Sequence, residues 1–486
     1  MTAPAAAAGG VRLPSAPASS GGGGLVIVAG GAGRQRHLRE QPARSNDFEE
    51  VAVLVWFYRS RMPAVLAAAA AVSFAAAGCG GGGSGSSSSG SSGGVPATAR
   101  QTVVFAESGL GTEGQQTQKA IDAFEKANPN IKVKIDVLSS DSTTYLSQLE
   151  HAFIAGSSTP DVFESDVTYP AKLAQAGWVM PLTTFHPDTS QFFSHEVAAG
   201  TYKGTVYAIP WFDNPEGLFY RTDLIPVPPA SPAQVVSDAR AAMKKDPSLK
   251  EGLAFEGAKY EGAITSFLTV APAFGGTLSP SDINTPGNVK ALTWLHDAVY
   301  TNHIAPTAVT GWQEGQVQQE FTSGHAAFAI DYPFVESVAA TSPVKGKVGY
   351  IPFPAASGGT PGSALGGEML AINAKSAHPA AAWKLIQYLT SAPAEIARAE
   401  ATGDPPSLPS AYTPALYAKA PYFKAVKTLN TYSVPRPVNP NYLNVSNDLQ
   451  AMLSQVYASS SPAAPAAALK AAAPAVKQAA SATPGS

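Results

Sequence analysis

Three loop segments of this 486-residue chain interleave aromatic rings with polar side chains and prolines, at positions 209–220, 331–334 and 434–442. Aromatic rings cover the apolar C–H face of a pyranose, while Asp, Asn, Glu and Arg side chains satisfy its hydroxyl groups. Any one of these rings is more often part of a hydrophobic core than a ligand wall. Their joint occurrence with carboxylates and prolines nevertheless predicts a site for a small polyhydroxylated ligand.

Enzyme chemistry has little support in the sequence. It contains no nucleophile elbow, Walker loop, HExxH or CxxC motif. The histidines are scattered, and none has metal-ligand spacing with another histidine or with a carboxylate cluster, so we predict neither a metal nor a cofactor. The acid pairs Glu164/Asp166 and Glu256/Glu261 could serve a glycosidase, but carboxylates near a sugar also simply accept hydroxyl hydrogen bonds. A binding protein is therefore favoured over an enzyme.

The only cysteine, Cys79, ends an apolar run that follows Arg59 and Arg61, and a Gly/Ser tract comes directly after it. This order is typical of a lipoprotein signal, although Ala76 stands where a larger aliphatic residue is more usual. We predict a signal over 51–79, a flexible linker over 80–100 and a lipid on Cys79. A buried, incidental cysteine is the alternative. Residues 1–50 show no periodicity and are expected to be unstructured, with translation starting near 51–55.

The signal places the rest of the chain outside the cytoplasm, lipid-anchored to the outer face of the cell membrane. The formal net charge is −3 and the mature region has no dense Lys/Arg cluster, which argues against a nucleic-acid partner. The apolar run is too short for a confident membrane span. About 370 residues follow the linker, enough for two large lobes.

Strand and helix patterns alternate along this region. Residues 102–106 and 131–137 are predicted as strands, and 114–127, 287–300 and 380–390 as helices. Such alternation favours α/β lobes with a mostly parallel sheet. Pro474 argues against a long terminal helix, and we predict a disordered tail over 476–486.

Across residues 101–475 the chain resembles the extracellular solute-binding proteins of carbohydrate ABC importers, especially the maltose/trehalose branch. Short segments in matching order and spacing carry the resemblance: 124–129, 159–166, 176–182, 207–210, 218–224, 260–262, 274–276, 343–349, 365–367 and 434–437. The resemblance implies an α/β clamp of two lobes joined by a multi-strand hinge. Lobe one would comprise 101–211 plus 332–372, and lobe two 212–331 plus 373–475. The protein would be a monomer that delivers sugar to importer permease subunits.

The resemblance also implies a set of ligand-binding residues, which are Glu113, Asp166, Phe212, Asn214, Tyr332, Phe334, Gly366, Gly367 and Arg436. Two further positions depart from the relatives' pattern. Glu368 stands where a tryptophan is common, and Tyr145 where an arginine contact can occur. Both are expected to contact the ligand and to shift the preference towards a different disaccharide or linkage.

The expected ligand is an α-glucoside such as trehalose or maltose. The same fold could instead take a monosaccharide, a longer oligosaccharide or a glycerophosphodiester. A carbohydrate-active enzyme and a surface adhesin are the competing functions. For individual residues the structural alternatives are a helix N-terminal acid at Glu113, hinge packing at Tyr332 and Phe334, and a structural salt bridge at Arg436.

Overall fold

The computed structural model describes residues 100–108, 111–139 and 142–483, without the side chains of 111–113 and 143. The predicted signal, Cys79 and nearly all of the predicted linker lie outside the described residues. Within the described ranges no helix is long and apolar enough to cross a membrane.

The described part of the chain alternates strands with helices. The strands are β1 (Gln101–Glu107), β2 (Ile131–Val137), β3 (Val162–Asp166), β4 (Thr201–Tyr202), β5 (Thr205–Val206), β6 (Ala208–Arg221), β7 (Glu251–Ala254), β8 (Ala326–Asp331), β9 (Val348–Ile351), β10 (Ser363–Ile372) and β11 (Ser433–Val434). The α-helices are α1 (Gly111–Ala127), α2 (Ser142–Ile154), α3 (Pro170–Gln175), α4 (Ser194–Ala199), α5 (Pro232–Lys245), α6 (Glu261–Val270), α7 (Pro286–Tyr300), α8 (Glu314–Thr322), α9 (Phe334–Ala339), α10 (Pro379–Leu389), α11 (Ala392–Thr402), α12 (Pro414–Lys419), α13 (Phe423–Leu429), α14 (Tyr442–Tyr457) and α15 (Ala464–Ser481).

Local sequence accounts for many of these boundaries. The strand predicted at 131–137 is confirmed as β2. Helix α7 begins where Thr285 accepts a hydrogen bond from the backbone N–H of Asn288 and a proline takes the first helical position. The predicted helix over 287–300 is therefore confirmed to within one residue.

A sheet in the order β2-β1-β3-β10-β6-β8-β7, with β11 added to β10 and β9 to β6, runs through the molecule. β1 is parallel to β2 and β3, and β7 is parallel to β8. β10 is antiparallel to both β3 and β6. The first part of β6 pairs with β10, while its last residues pair with β8 and β9. β6 is thus a hinge strand that passes from one lobe into the other.

The lobe boundaries differ from our prediction. Leu385 and Ile386 of α10 pack with Phe105 and Phe124 in the core of the first lobe, whereas the sequence predicts 373–475 in the second lobe. Conversely, Tyr350 packs with Phe219 at the second-lobe end of β6 and with helix α8, whereas the sequence predicts 332–372 in the first lobe. The physical reason is that the chain re-enters the first lobe through β10, about thirty residues later than expected.

The end of the chain also differs from our prediction. Helix α15 continues through Pro474 to Ser481, and Leu469 and Val476 are 1 % and 0 % exposed. Both side chains join the second-lobe core, which includes residues of α7 and α14. The expectation of disorder over 476–481 is therefore wrong, because burial of an apolar helix face outweighs the local cost of an interior proline.

Candidate functional site

Asp166 is the last residue of β3, at the edge of the sheet where ligands bind in open α/β folds. Its Oδ1 accepts a hydrogen bond of 2.8 Å from the backbone N–H of Thr168 and another from the Thr168 hydroxyl. Arg436 Nη2 lies 3.2 Å from Asp166 Oδ2. Asp166 is therefore held in one orientation on the first lobe while facing an arginine.

Arg436 joins Asp166 to a second acid. Its Nη1 lies 3.0 Å from Oε1 of Glu261, the first residue of α6 in the second lobe. Glu261 also accepts hydrogen bonds from the hydroxyls of Tyr442 and Ser446 on α14. These five residues form what we call the cleft cluster, and its arginine lies between one carboxylate from each lobe.

The electrostatics of the cleft cluster favour a permanently charged arginine. Burial works against the charge of Arg436, but Asp166 and Glu261 outweigh it and raise the pKa of Arg436 well above its usual value. Nε of Arg436 is buried and finds no acceptor among the described residues. A buried donor of this kind is satisfied when a ligand hydroxyl or a water reaches it.

Glu368 lies opposite Asp166 in the β3–β10 ladder and opposite Phe212 in the β6–β10 ladder. Burial raises the pKa of Tyr169 well above its usual value, and the charges of Asp166 and Glu368 add to that rise. Glu368 therefore belongs to the same electrostatic neighbourhood as Asp166, and its contact with a ligand stays a prediction.

The two glycines of β10 serve close backbone packing. A Cβ atom on Gly366 would lie 2.8 Å from the carbonyl oxygen of Asn214 and 3.1 Å from the ring of Tyr332. Gly367 has φ +109°, and a Cβ there would lie 2.4 Å from the carbonyl oxygen of Phe212. Their space is taken by β6 and by Tyr332, so they bring the predicted ligand residues together.

The predicted aromatic contacts lie in different settings. Tyr332 follows β8 and is buried beside the cleft cluster, with Arg436 near enough to lower its pKa against a larger rise caused by burial. The Arg398 guanidinium lies 4.3 Å from the centre of the Phe212 ring and covers one of its faces. Phe334 begins α9 and packs on the second-lobe core, and its contact with a ligand stays a prediction.

Tyr145 is 4 % exposed and lies in a first-lobe core cluster. Its hydroxyl is shared between the carbonyl oxygens of Ala106 and Glu164, at 3.1 and 3.0 Å. A phenol has one donor, and this one is already used, so Tyr145 could meet a ligand only as an acceptor or through its ring. Its contact with a ligand stays a prediction. Glu113 lies within α1, and its side chain is outside the described atoms.

Buried acids lie behind Tyr332 in the second lobe. Burial raises the pKa of Glu216 to about 8, although the hydroxyls of Thr265, Ser266 and Thr269 lower it as donors. Burial also raises the pKa values of Glu256 and Asp331 well above their usual range. Burial therefore shifts all three of these acids towards their protonated forms.

Sequence reasoning missed the roles of Glu261, Tyr442 and Ser446. Glu261 stood out only as half of an acid pair, and Tyr442 only as the last ring of the third aromatic segment. The contact between Arg436 and Glu261 joins residues 175 positions apart, which no local motif records.

Two α/β lobes, joined by hinge strands and linked by a polar cluster between them, define a two-lobed ligand-binding protein. Residues 108–396 match the model of the bacterial extracellular solute-binding proteins, and the chain belongs to that family. The resemblance stated from the sequence is thus confirmed.

The chain is similar to a probable ABC transporter-binding protein of Deinococcus radiodurans, with 30 % identity over 374 residues covering 73 % of this chain and 88 % of the relative. Among solved structures it is similar to maltose-bound MalE3 of T. maritima, with 28 % identity, a TM-score of 0.70, and 77 % and 99 % of the two chains covered. The GacH receptor of Streptomyces glaucescens, solved unliganded and with acarbose, shares the fold at 23 % identity and a TM-score of 0.68, covering 78 % and 98 % of the two chains.

Proposed function

We propose that this protein is the sugar receptor of an ABC importer and captures a disaccharide, an α-glucoside such as maltose or trehalose, between its lobes. The observation that carries the proposal is the cleft cluster, in which Arg436 joins Asp166 of one lobe to Glu261 of the other. A ligand bound there contacts both lobes, so occupancy is coupled to closure. The membrane subunits of the importer then recognise the closed form.

The cleft chemistry suits a neutral ligand rich in hydroxyl groups. Asp166 and Glu261 offer acceptor oxygens, and the buried Nε of Arg436 offers a donor. Tyr332 supplies an aromatic ring beside them. The solved neighbour with the higher identity, MalE3 of T. maritima, was determined with maltose bound, which supports the same ligand class.

A glycerophosphodiester fits this cleft less well. Arg436 is already balanced by two carboxylates, and Glu368 adds a third acid opposite Asp166. A phosphate would meet net negative charge, and like charges disfavour an anionic ligand. Glu368 in place of a stacking tryptophan also replaces an apolar platform with a hydrogen-bond acceptor, which favours a sugar with a hydroxyl at that point.

The proposed function includes no catalytic step. A glycosidase pair requires one acid to donate a proton and the other to act as base or nucleophile. Here the same guanidinium holds both Asp166 and Glu261, an arrangement for binding. The relatives are binding proteins as well.

The family is extracellular, which places the binding domain outside the cytoplasmic membrane. We propose that a lipid on Cys79 and the Gly/Ser tract after it tether the domain near its permease. Such a tether raises the local concentration of receptor at the permease. Stable anchoring needs more than one acyl chain, so the lipid would carry two or more.

Calorimetry and tryptophan fluorescence with glucose, maltose, trehalose and maltotriose test the ligand. We expect saturable binding of one disaccharide together with a smaller radius of gyration by solution scattering. If a folded sample binds no sugar in the panel, the proposal is wrong. Chromatography of the recovered sugar separates an enzyme, which would release products. Binding without compaction would indicate an adhesin.

Membrane fractionation of the wild type and of Cys79→Ser tests the anchor. We expect the wild type in the membrane fraction with an acylated N-terminal cysteine by mass spectrometry, and the variant in the medium or soluble fraction. An unmodified Cys79 in the mature protein would contradict the anchor and leave the ligand proposal unaffected.

A further inference from the structure

A second polar cluster lies on the hinge strand, away from the cleft cluster. It consists of His195 and Glu196 on α4 and Asp213 on β6, and we call it the hinge cluster. One ring nitrogen and one oxygen from each carboxylate lie within 4.8 Å of one another. No local motif predicts this group, because Asp213 reaches it only through the fold.

The hinge cluster contains several buried polar atoms whose hydrogen-bonding capacity is unused. As ionised acceptors, both oxygens of Glu196 and Asp213 Oδ2 find no donor that meets hydrogen-bond geometry within the described ranges, and neither does His195 Nε2 find a partner. The two carboxyl groups do lie within hydrogen-bonding reach of each other if they share a proton, and Asn430 lies near Asp213. Glu196 and Asp213 are 2 % and 0 % exposed. Native proteins rarely leave buried acceptors unsatisfied, so such a group calls for an explanation.

The surrounding contacts hold two of these three side chains in place. Oδ1 of Asp213 accepts the backbone N–H of Asn214 at 2.7 Å, and its own N–H donates to the Pro405 carbonyl oxygen at 2.9 Å. The ring of His195 stacks on Phe193 at 5.6 Å between centres. The backbone hydrogen bond therefore fixes the Asp213 side chain, and ring stacking fixes the His195 side chain. Asp213 Oδ2 and His195 Nε2 remain available to bind a ligand.

Two carboxylates buried side by side need either a shared proton or a compensating positive charge, because desolvated like charges cannot both be ionised unaided. Within the described part of the chain no Lys or Arg forms an ion pair with either acid. One imidazole nitrogen and two carboxylate oxygens, with a further position open to water, are a donor set that suits a divalent transition metal such as Zn²⁺. We propose that His195, Glu196 and Asp213 bind a divalent cation, with Zn²⁺ favoured.

The position gives the cation a structural role. Asp213 lies between Phe212 and Asn214 on β6, and side chains alternate between the two faces of a strand. A metal there would tie α4 of the first lobe to the hinge strand from the face opposite those two residues. It would fix the strand that carries part of the candidate ligand site without contacting the ligand.

The test uses the full chain without a histidine tag, stripped with a chelator and dialysed. We expect one molar equivalent of Zn²⁺ by calorimetry and by elemental mass spectrometry. Saturating Zn²⁺ should raise the melting temperature by about 5 °C. Glu196→Gln and Asp213→Asn should each weaken Zn²⁺ binding by at least about 100-fold, because each removes a charged ligand.

Glu216→Gln is the matched control, since Glu216 is equally buried on the same strand but its oxygens already accept hydroxyl hydrogen bonds. This variant should bind Zn²⁺ like the wild type. His195→Gln is the second variant if the buried changes prevent folding, because His195 is only partly buried. Unchanged Zn²⁺ binding in a hinge-cluster variant, or no binding of Zn²⁺, Mn²⁺ or Ca²⁺ by the wild type, would overturn the proposal, and the acids would then share a proton.

Discussion

The cleft cluster and the hinge cluster solve the same electrostatic problem in different ways. Each brings together two carboxylates from separate segments of the chain. In the cleft, Arg436 lies between Asp166 and Glu261 and hydroxyls complete the set. In the hinge, Glu196 and Asp213 adjoin a histidine and no basic ion-pair partner within the described ranges. The charges of the cleft cluster are balanced by Arg436, whereas those of the hinge cluster would be balanced by the proposed cation.

The largest expected effect comes from Arg436→Ala, which makes the cleft resemble the hinge. It leaves Asp166 and Glu261 without their shared cation, and we expect a loss of about 3 kcal/mol in the free energy of unfolding. Sugar affinity should fall by about 1–3 kcal/mol, roughly 5- to 150-fold. Denaturant unfolding and calorimetry measure the two losses.

Arg221→Ala is the matched control for that change. Arg221 is another well-buried arginine in a carboxylate pair, with Nη2 2.7 Å from Asp223 Oδ2, but it lies outside the cleft cluster. This variant should lose stability and keep its sugar affinity. Equal loss of affinity in the two variants would contradict the assignment of Arg436.

Glu216 is an intermediate case, compensated by hydroxyl donors rather than by a cation. Its folded pKa of about 8 lies above the ordinary glutamate pKa of 4.5, so the folded state keeps a proton that the unfolded state releases. Its contribution to stability is present below about pH 4.5 and is lost as pH rises through about 8. Glu216→Gln should therefore flatten the fall in unfolding free energy between about pH 5 and pH 8, by about 3.5 kcal/mol. An unchanged pH profile would show that Glu216 ionises normally.

The strand β10 connects the two clusters, since Gly367 lies opposite Asp213 and Glu368 opposite Asp166. Gly367→Ala should destabilise the fold by about 2 kcal/mol, because of its positive φ and the close Phe212 carbonyl oxygen. Gly177→Ala is the control: it has φ +70° with nothing within 4 Å of a Cβ, and should cost only about 1 kcal/mol. Equal costs in thermal unfolding would show that the contact with β6 is not tight.

The smallest expected effect is a change in unfolding free energy that has opposite signs in the two clusters. In chelator, Glu196→Gln removes one of two uncompensated acids and should raise the unfolding free energy by about 1 kcal/mol. Asp166→Asn removes an acid that Arg436 already balances and should lower it by a similar amount. If both variants shift stability in the same direction, the contrast between the clusters is wrong.

Much of the fold follows from local patterns. β2 alternates in the sequence as it does in the structure, and α7 carries its own start signal. Asp166 could be placed because strand ends mark the ligand edge of an α/β sheet. The contacts of Tyr145 could not be predicted. Its hydroxyl donates to the carbonyl oxygens of Ala106 and Glu164, and no local sequence pattern distinguishes such a tyrosine from one that faces a ligand.

The lobe boundaries and the terminal helix depended on contacts that local patterns do not carry. Alternation alone does not say at which strand the chain crosses the hinge. Pro474 signals a helix end by itself, yet the burial of Val476 in the second-lobe core decides the outcome. The hinge cluster is invisible in the sequence for the same reason, because α4 and β6 meet only in three dimensions.

Arg436 forms an ion-pair contact between the two lobes of the receptor. Because its guanidinium bridges an acid on each lobe, the protein can close on itself before any sugar arrives. A ligand must then compete with this internal contact, and its measured affinity is the difference between two closed states rather than the strength of one.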